Sequence, residues 1–292
     1  MLVLGFAEVQ AQAAALAAAL GADFETVDLH RFPDGESRLR LPPSLPERVL
    51  LYRSLDHPNG KLVELLLTAQ GARNLGAGWV GLVAPYLCYM RQDMAFQPGE
   101  VVSQRIIGRF LAEHFDALVT VDPHLHRVHA LAEAAPVKQA VAISAAPAMG
   151  AFLATRDAKP LLVGPDSESE QWVRGVAAAA GLDYVVAQKT RSGDRQVEVH
   201  LPRRDYRNLQ VVLVDDLAST GRTLAAAARA LLAAGTARVD VLVTHALFVG
   251  DALAMVRQAG TGEIWSSDSI PHPSNAFSLA PYLADALKTA PT

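Results

Sequence analysis

The chain has 292 residues, 51% hydrophobic and 19% charged, which describes a globular protein with a core large enough for one large domain or two ordinary ones. A net charge of −4 and a pI near 6.1 argue against non-specific nucleic-acid binding, so any phosphate-binding positive charge must be local. Cys88 is the only cysteine, which excludes disulfides within the chain and cysteine-based zinc sites.

Leu2 to Phe6 reads as a first strand, and Glu8 to Leu20 as an alanine-rich helix ended by Gly21. This opening lacks a basic n-region and so does not read as a signal peptide. No apolar run reaches the length of a membrane span, and a soluble cytoplasmic protein is the default expectation. Thr26 to His30 is the next expected strand. It leads into Arg31-Phe32-Pro33-Asp34-Gly35-Glu36, where Pro33 and Gly35 force a turn flanked by carboxylates. The turn reads equally as a solvated hairpin tip or as a site. Strands follow at Arg38 to Leu41 and Arg48 to Tyr52, then a helix over Gly60 to Leu75 with apolar spacing at Leu62, Leu65, Leu66 and Ala69.

Trp79 to Pro85 is an apolar strand whose end carries Tyr86, Tyr89, Arg91, Gln92 and Asp93. The aromatic groups offer stacking surface and Arg91 a phosphate fork; core packing and a surface ion pair are the alternatives. Val101 to Glu113 reads as an amphipathic helix and Ala117 to Val121 as a strand. Past that strand, Asp122-Pro123-His124-Leu125-His126-Arg127-Val128-His129 suggests a cation site, because ligands gather outside the carboxyl ends of strands in α/β sheets. A hard cation held mainly by ligand phosphate oxygens fits better than a transition metal, and His126 and His129 read as loop or surface residues. The pattern loosens over Ala135 to Met149, where Pro136 and Pro147 mark a boundary between domains, 1–143 and 144–292.

A second α/β series follows: a strand at Leu161 to Val163, the loop Gly164 to Glu170, a helix from Gln171 to Ala180 stopped at Gly181, and a strand at Tyr184 to Ala187. Lys189 and Arg191 stand one residue apart, so in a strand they share a face and can address one target; a solvated basic edge is the alternative. Val211 to Val214 then reads as a buried strand, with Asp215 and Asp216 at its end. Leu217-Ala218-Ser219-Thr220-Gly221-Arg222-Thr223 forms a loop before a helix running from Leu224 to Ala234. Strand, loop and helix N-terminus make an anion site, and the aspartates suit sugar hydroxyls or a bridging cation, so the local reading is a sugar phosphate. The alternative is an ordinary βα turn capped by Ser219 or Thr220. A strand at Val239 to Thr244, a helix at Asp251 to Ala259, the polar segment Ser266 to Pro273 and a last helix from Ala280 to Lys288 complete the chain. The expected fold class is α/β, with two doubly wound domains and mostly parallel sheets; the last helix has room to pack back on the first domain.

The segment Val211 to Thr223 resembles the ribose-phosphate-binding motif of phosphoribosyltransferases and phosphoribosyl pyrophosphate synthetases. Phe32 to Glu36, Arg91-Gln92-Asp93, Asp122-Pro123-His124, Gly164-Pro165-Asp166 and Lys189-Thr190-Arg191 add the order of the synthetases, the ribose-phosphate diphosphokinases. Pro98-Gly99-Glu100, His124 to Arg127 and Thr244-His245 are similar to the archaeal-type branch. The resemblance implies two phosphoribosyltransferase-like domains and transfer of a diphosphoryl group from ATP to the anomeric hydroxyl of ribose 5-phosphate, with Mg²⁺ as cofactor. Carried over by motif, Phe32, Asp34, Gly35, Glu36, Arg91 and Gln92 contact ATP. His124 ligates Mg²⁺ in the ATP complex, and Asp166 serves the second cation or the ribose. Lys189 and Arg191 act on the reacting phosphates, Arg191 also reaching ribose 5-phosphate. Asp215 and Asp216 hold the ribose hydroxyls, and Ala218, Ser219, Thr220, Gly221, Arg222 and Thr223 the 5-phosphate. The resemblance further implies a homo-oligomer built on a dimer.

Two positions depart from the commoner pattern. Ser167-Glu168-Ser169-Glu170 stands where many synthetases have glycines, and its acids repel diphosphate unless turned away or bridged by Mg²⁺. Ala246 replaces a frequent glycine. Competing readings are a phosphoribosyltransferase consuming phosphoribosyl pyrophosphate, which has no need of an adenine pocket in the first half, and a non-catalytic regulatory member, which is free to lose Lys189 and Arg191.

Overall fold

The structure of the protein is a computed structural model that describes residues 1–125, 127–156, 158–192 and 196–289, with the side chains at 191, 192, 196 and 197 outside that description. The chain divides into two compact units, Met1–Ile143 with the segment from Leu279 onward, and Ser144–Ser278.

The first unit holds β1 (Leu2–Gly5), β2 (Asp23–Thr26), β3 (Asp28–Arg31), β4 (Ser37–Arg40), β5 (Arg48–Tyr52), β6 (Trp79–Val83), β7 (Ala117–Val121) and β8 (Gln139–Ile143). Six of these form a sheet in the order β2-β1-β5-β6-β7-β8, parallel at every pairing. Val49 to Tyr52, Val80 to Val83 and all of β7 are buried, giving continuous apolar runs without alternation. That is the pattern of strands covered on both faces. β3 and β4 form a separate antiparallel hairpin. The helices are α1 (Gln10–Leu20), α2 (Pro58–Asn74), α3 (Ser103–His114) and the single turn α4 (Leu131–Ala134). α1 stops where Gly21 turns left-handed, its amide returning to the last turn, as glycine permits at no steric cost.

The second unit contains α5 (Ala146–Ala154), β9 (Leu161–Gly164), α6 (Glu170–Ala180), β10 (Tyr184–Val186), β11 (Gln188–Ser192) and β12 (Gln196–His200). It continues with β13 (Gln210–Ala218), α7 (Arg222–Ala233), β14 (Arg238–Ala246), α8 (Ala252–Gln258), β15 (Ile264–Ser267) and β16 (Asn275–Phe277). Its six-stranded sheet runs β10-β9-β13-β14-β15-β16, again parallel, and β11 pairs antiparallel with β12 outside it. The core lies between this sheet and α7 and α8, around Leu213, Leu224, Leu231, Val241 and Val256. The last helix, α9 (Ala280–Thr289), belongs to the first unit, where Lys288 Nζ donates to the Ala19 carbonyl at 2.9 Å.

Three expectations about elements are corrected. The strand expected at Thr26 to His30 is two strands, because buried Val27 turns the chain from the sheet into the hairpin. The loosened stretch Ala135 to Met149 contains β8 and the start of α5: β8 is a half-exposed edge strand, and Pro147 sits in the first turn of α5, where a missing N–H costs nothing. The strand expected to end at Val214 runs on through Asp215 and Asp216 to Ala218, held by the register Asp215↔Val243 and Leu217↔His245.

Candidate active site

In the second unit, β13 delivers two carboxylates and then a tight turn into α7. Val211 to Val214 are at most 3% exposed, which fixes the strand, and Asp216 is itself buried. The turn is not the capped βα turn that was the alternative: Gly221 occupies the N-cap position at φ 71°, and no side chain caps α7. A Cβ at Gly221 would meet Val256 Cγ2 at 2.9 Å and the Ala252 carbonyl at 3.0 Å, so only glycine lets the loop lie this close to α8. The loop's carbonyls are pinned from the other side. Ala218 O accepts from the Leu247 and Phe248 amides at 3.1 and 2.8 Å, and Ser219 O from the Val249 amide at 3.0 Å. Phe248, at φ 37°, is held by stacking on His272 at 5.1 Å. The first amides of α7 lack intrahelical acceptors, as at any helix start, and Ser219, Thr220 and Thr223 adjoin them in sequence. Such a loop is preorganised for an anion.

Asp166 follows β9 and works in two directions. Its Oδ1 accepts the Glu168 and Ser169 amides at 3.1 and 3.3 Å, capping a 3-10 turn at Ser167–Ser169, while Oδ2 accepts Lys189 Nζ at 2.9 Å. Both side chains are mostly buried, at 11% and 16% exposed, so this pair is more than a solvent-screened surface contact. Lys189 projects from β11, and together with Asp166, Ser167 and Glu168 it lines a cavity of about 260 Å³. Burial, then the Asp216 and Asp166 carboxylates, push the Asp215 carboxyl well above its usual range. Asp166, Asp215 and Asp216 therefore share one electrostatic site with Lys189. Crowded carboxylates of this kind suit a cation or hydroxyl donors. No cluster of three or more His, Cys, Asp or Glu side chains able to hold a metal occurs among the described residues, so a cation here would need ligand oxygens. Arg191 lies in β11 opposite Val197; its side chain is outside the described set.

Of the departures from the commoner pattern, Glu168 is exposed and lines the cavity, while Glu170 is exposed at the start of α6. Ala246 is buried next to its register partner Ala218.

In the first unit, Phe32 to Glu36 form the tip of the β3–β4 hairpin. The tip is closed by Phe32 N–H to Glu36 O at 2.8 Å, Gly35 N–H to Phe32 O at 2.9 Å and Glu36 N–H to Asp34 Oδ1 at 3.1 Å. All five residues are exposed; Phe32 keeps 41% of its surface open, and His30 stands edge-on to its ring at 4.8 Å. A large aromatic ring on a polar tip is available for stacking. Arg91 is exposed in the loop after β6, while Gln92 Nε2 donates to Met94 O at 3.2 Å and to Glu100 Oε2 at 3.4 Å. Tyr86 and Tyr89 are half-buried, and Phe96 is 60% exposed with Arg127 5.9 Å from its ring. Arg127 also pairs with buried Asp93 at 2.8 Å. His124 lies half-buried just past β7, after Asp122 at the left-handed φ of 37°. His129 is exposed, and His126 lies outside the described residues.

Sequence reasoning missed a buried ionic group beneath the hairpin. Arg53 is fully buried, stacks over Phe6 at 3.7 Å, and donates to Glu8 at 2.8 Å and to Glu64 at 2.6 Å. Arg53 directly follows the apolar strand β5 and precedes Ser54-Leu55, a context in which a buried cation must find a partner.

With two carboxylates among the last four residues of β13, a glycine-set loop and an uncapped helix N-terminus, the second unit has the arrangement of a phosphoribosyltransferase-type α/β domain. The family model described as phosphoribosyl transferase domain matches residues 138–255, and that of the N-terminal domain of ribose phosphate pyrophosphokinase matches residues 1–114. The chain is 36% identical to the ribose-phosphate pyrophosphokinase of Methanopyrus kandleri, covering 99% of each chain, and 32% identical to that of Methanosarcina acetivorans, again covering 99% of each. The phosphoribosylpyrophosphate synthetase structure from Mycobacterium smegmatis shares the fold, with a TM-score of 0.81 at 23% identity over 98% of this chain and 97% of that one. The chain belongs to the ribose-phosphate pyrophosphokinase family.

Proposed function

We propose that the protein is a Mg²⁺-dependent ribose-phosphate diphosphokinase, converting ATP and ribose 5-phosphate to phosphoribosyl pyrophosphate and AMP. The observation that carries this reading is the grouping of Lys189, Asp166, Asp215 and Asp216 with the Gly221 loop in one unit, in a chain whose other unit matches the N-terminal domain of ribose phosphate pyrophosphokinase. That N-terminal match disfavours a phosphoribosyltransferase, and retention of Lys189 and Arg191 disfavours a silent regulatory member.

In this reading the amides and hydroxyls of Ser219 to Thr223 bind the 5-phosphate, and Asp215 and Asp216 accept hydrogen bonds from the ribose hydroxyls. Phe32, Asp34, Gly35, Glu36, Arg91 and Gln92 bind ATP on its adenine side. The anomeric oxygen attacks the β-phosphorus, the bond from that phosphorus to the α-phosphate oxygen breaks, AMP leaves, and the hydroxyl proton is released. Two polyanions must approach, and charge spreads over the transferring oxygens. Lys189 and Arg191 answer that charge more strongly in the transition state than in the ground state. The raised Asp215 carboxyl and the short donor set beside it support a cation completed by substrate oxygens at Asp166, while His124 would ligate the Mg²⁺ carried by ATP; each cation would neutralise phosphate charge when bound. For Asp166 to hold its cation, Lys189 has to leave its Oδ2, which frees the ammonium for phosphate. Assembly into a dimer-based homo-oligomer belongs to the same reading.

The test supplies ATP, Mg²⁺ and ribose 5-phosphate to the purified protein. AMP formation that requires ribose 5-phosphate is expected, with loss of turnover in a folded Lys189→Ala variant. Wild-type turnover in that variant removes the assignment of Lys189.

A further inference from the structure

The clearest structural device outside the reacting centre is the carboxylate of Glu64, on α2 and only 2% exposed. Its Oε1 accepts Arg31 Nε at 2.8 Å and Ser37 Oγ at 3.1 Å; its Oε2 accepts a second Arg31 nitrogen at 3.2 Å and Arg53 Nη2 at 2.6 Å. Arg31 and Ser37 face each other across the hairpin register. They are also the residues immediately before Phe32 and immediately after Glu36. One buried carboxylate therefore closes the base of the Phe32–Glu36 tip from both strands. Arg53 anchors that carboxylate to the core through Glu8, the Lys61 carbonyl and the Phe6 ring.

A buried ion pair is weak evidence of net stability, since apolar side chains of similar volume often serve as well. What a forked, bidentate contact adds is direction. The hairpin needs it. β3 and β4 are not members of the six-stranded sheet, and their outer residues and whole tip are exposed, so little apolar packing fixes where Phe32 points.

We propose that Glu64 is a positioning residue for the nucleotide: through Arg31 and Ser37 it holds the Phe32–Glu36 tip in the orientation that receives the adenine ring. This rests on the reading of that tip as part of the ATP site. Glu64 touches no substrate in this account, and its effect passes entirely through the hairpin.

The experiment uses Arg31→Ala in the full-length protein. The Arg31 side chain is 60% exposed, so its truncation opens one side of the clamp and leaves the buried Arg53–Glu64 pair in place. Arg31→Lys, which keeps the charge, and Ser37→Ala accompany it. Each variant is measured for KM of both substrates, kcat, thermal unfolding, and amide exchange of residues 32–36. The expected result is faster exchange at the tip and KM for ATP raised about five- to tenfold, the loss of one charge-assisted contact. KM for ribose 5-phosphate and kcat at saturation hold, the unfolding midpoint falls by no more than about a few degrees, and Arg31→Lys recovers part of the effect. Unchanged exchange overturns the clamp. Faster exchange with unchanged KM for ATP overturns the nucleotide role of the tip while leaving the clamp as a structural fact, and an equal rise in both KM values reduces Glu64 to a structural residue. AMP production by the wild-type protein is scored separately, so failure of the enzymatic reading is distinguishable from failure of this one.

Discussion

Replacing Gly221 by alanine forces a choice between the loop it belongs to and the helix α8 packed against it. Gly221 has φ 71°, where an L side chain costs about 1–2 kcal/mol. The new Cβ also arrives 2.9 Å from Val256 Cγ2 and 3.0 Å from the Ala252 carbonyl, closer than van der Waals contact to a backbone atom that cannot rotate away. Overpacking of this order typically adds about 1–3 kcal/mol. If α7 and its loop move to relieve the contact, the strain is not recorded as lost stability but as a displaced loop, the one proposed to bind the 5-phosphate. A loss of about 2–3 kcal/mol in phosphate binding corresponds to a KM for ribose 5-phosphate raised about thirty- to hundredfold or more. Urea unfolding and steady-state kinetics with each substrate varied in turn divide the cost between the two. The account expects KM for ribose 5-phosphate to rise well beyond KM for ATP, with a smaller loss of stability. Unchanged stability together with unchanged KM for ribose 5-phosphate would refute the reasoning that this glycine sets the loop.

The carboxylates give opposite pH responses. Burial raises Asp116, but the Lys138 ammonium, the Val80 amide and the Arg73 guanidinium outweigh it and hold the group at about 2. Its contribution is present above the ordinary carboxylate range and lost as pH falls through about 2. Because Lys138 is largely exposed, the contribution is worth about 1–2 kcal/mol. Asp116→Asn should lose that stability at neutral pH in urea unfolding, the difference shrinking as pH drops below the ordinary carboxylate range; a pH-independent difference contradicts the ion-pair account. Asp215 is raised, so the folded state holds its proton longer than the unfolded chain, and stability falls as pH rises from the ordinary range through the folded value. Asp215→Asn should therefore stabilise the substrate-free protein at neutral pH while weakening ribose 5-phosphate binding, and a destabilised variant would refute the crowding. The Cys88 thiol is pushed up to about 12 by burial, so alkylation at pH 8 should proceed only on unfolding; rapid labelling of the native protein contradicts its buried placement.

The parallel sheets were legible because their central strands are uninterrupted apolar runs, and β5 and β7 have the bounds their sequences suggest. β8 escaped notice as an edge strand with mixed exposure, and α5 because a nine-residue helix without a single polar side chain has no polar face to set a period. The length of β13 was misjudged for an electrostatic reason: Asp215 and Asp216 look like the end of a strand, yet pairing with β14 carries the backbone past them. The motifs of the proposed site are local in sequence, but the contacts that support them are not. Nothing near Phe32 in sequence announces Glu64, which is 27 positions from Ser37 and 33 from Arg31. Likewise the left-handed Gly221 is set by α8, an element still to come in the chain. Contacts made across such separations leave no periodic trace, and a charged residue on a helix is ordinarily read as solvated.

The central claim is that a diphosphoryl group, and not a single phosphoryl group, leaves ATP. ATP labelled at its β-phosphorus, incubated with the protein, Mg²⁺ and ribose 5-phosphate, tests it directly. The account predicts that the label moves to the sugar product as AMP accumulates unlabelled, and that both changes vanish without ribose 5-phosphate. Label remaining in ADP, or no label on the sugar while ATP is consumed, would contradict it.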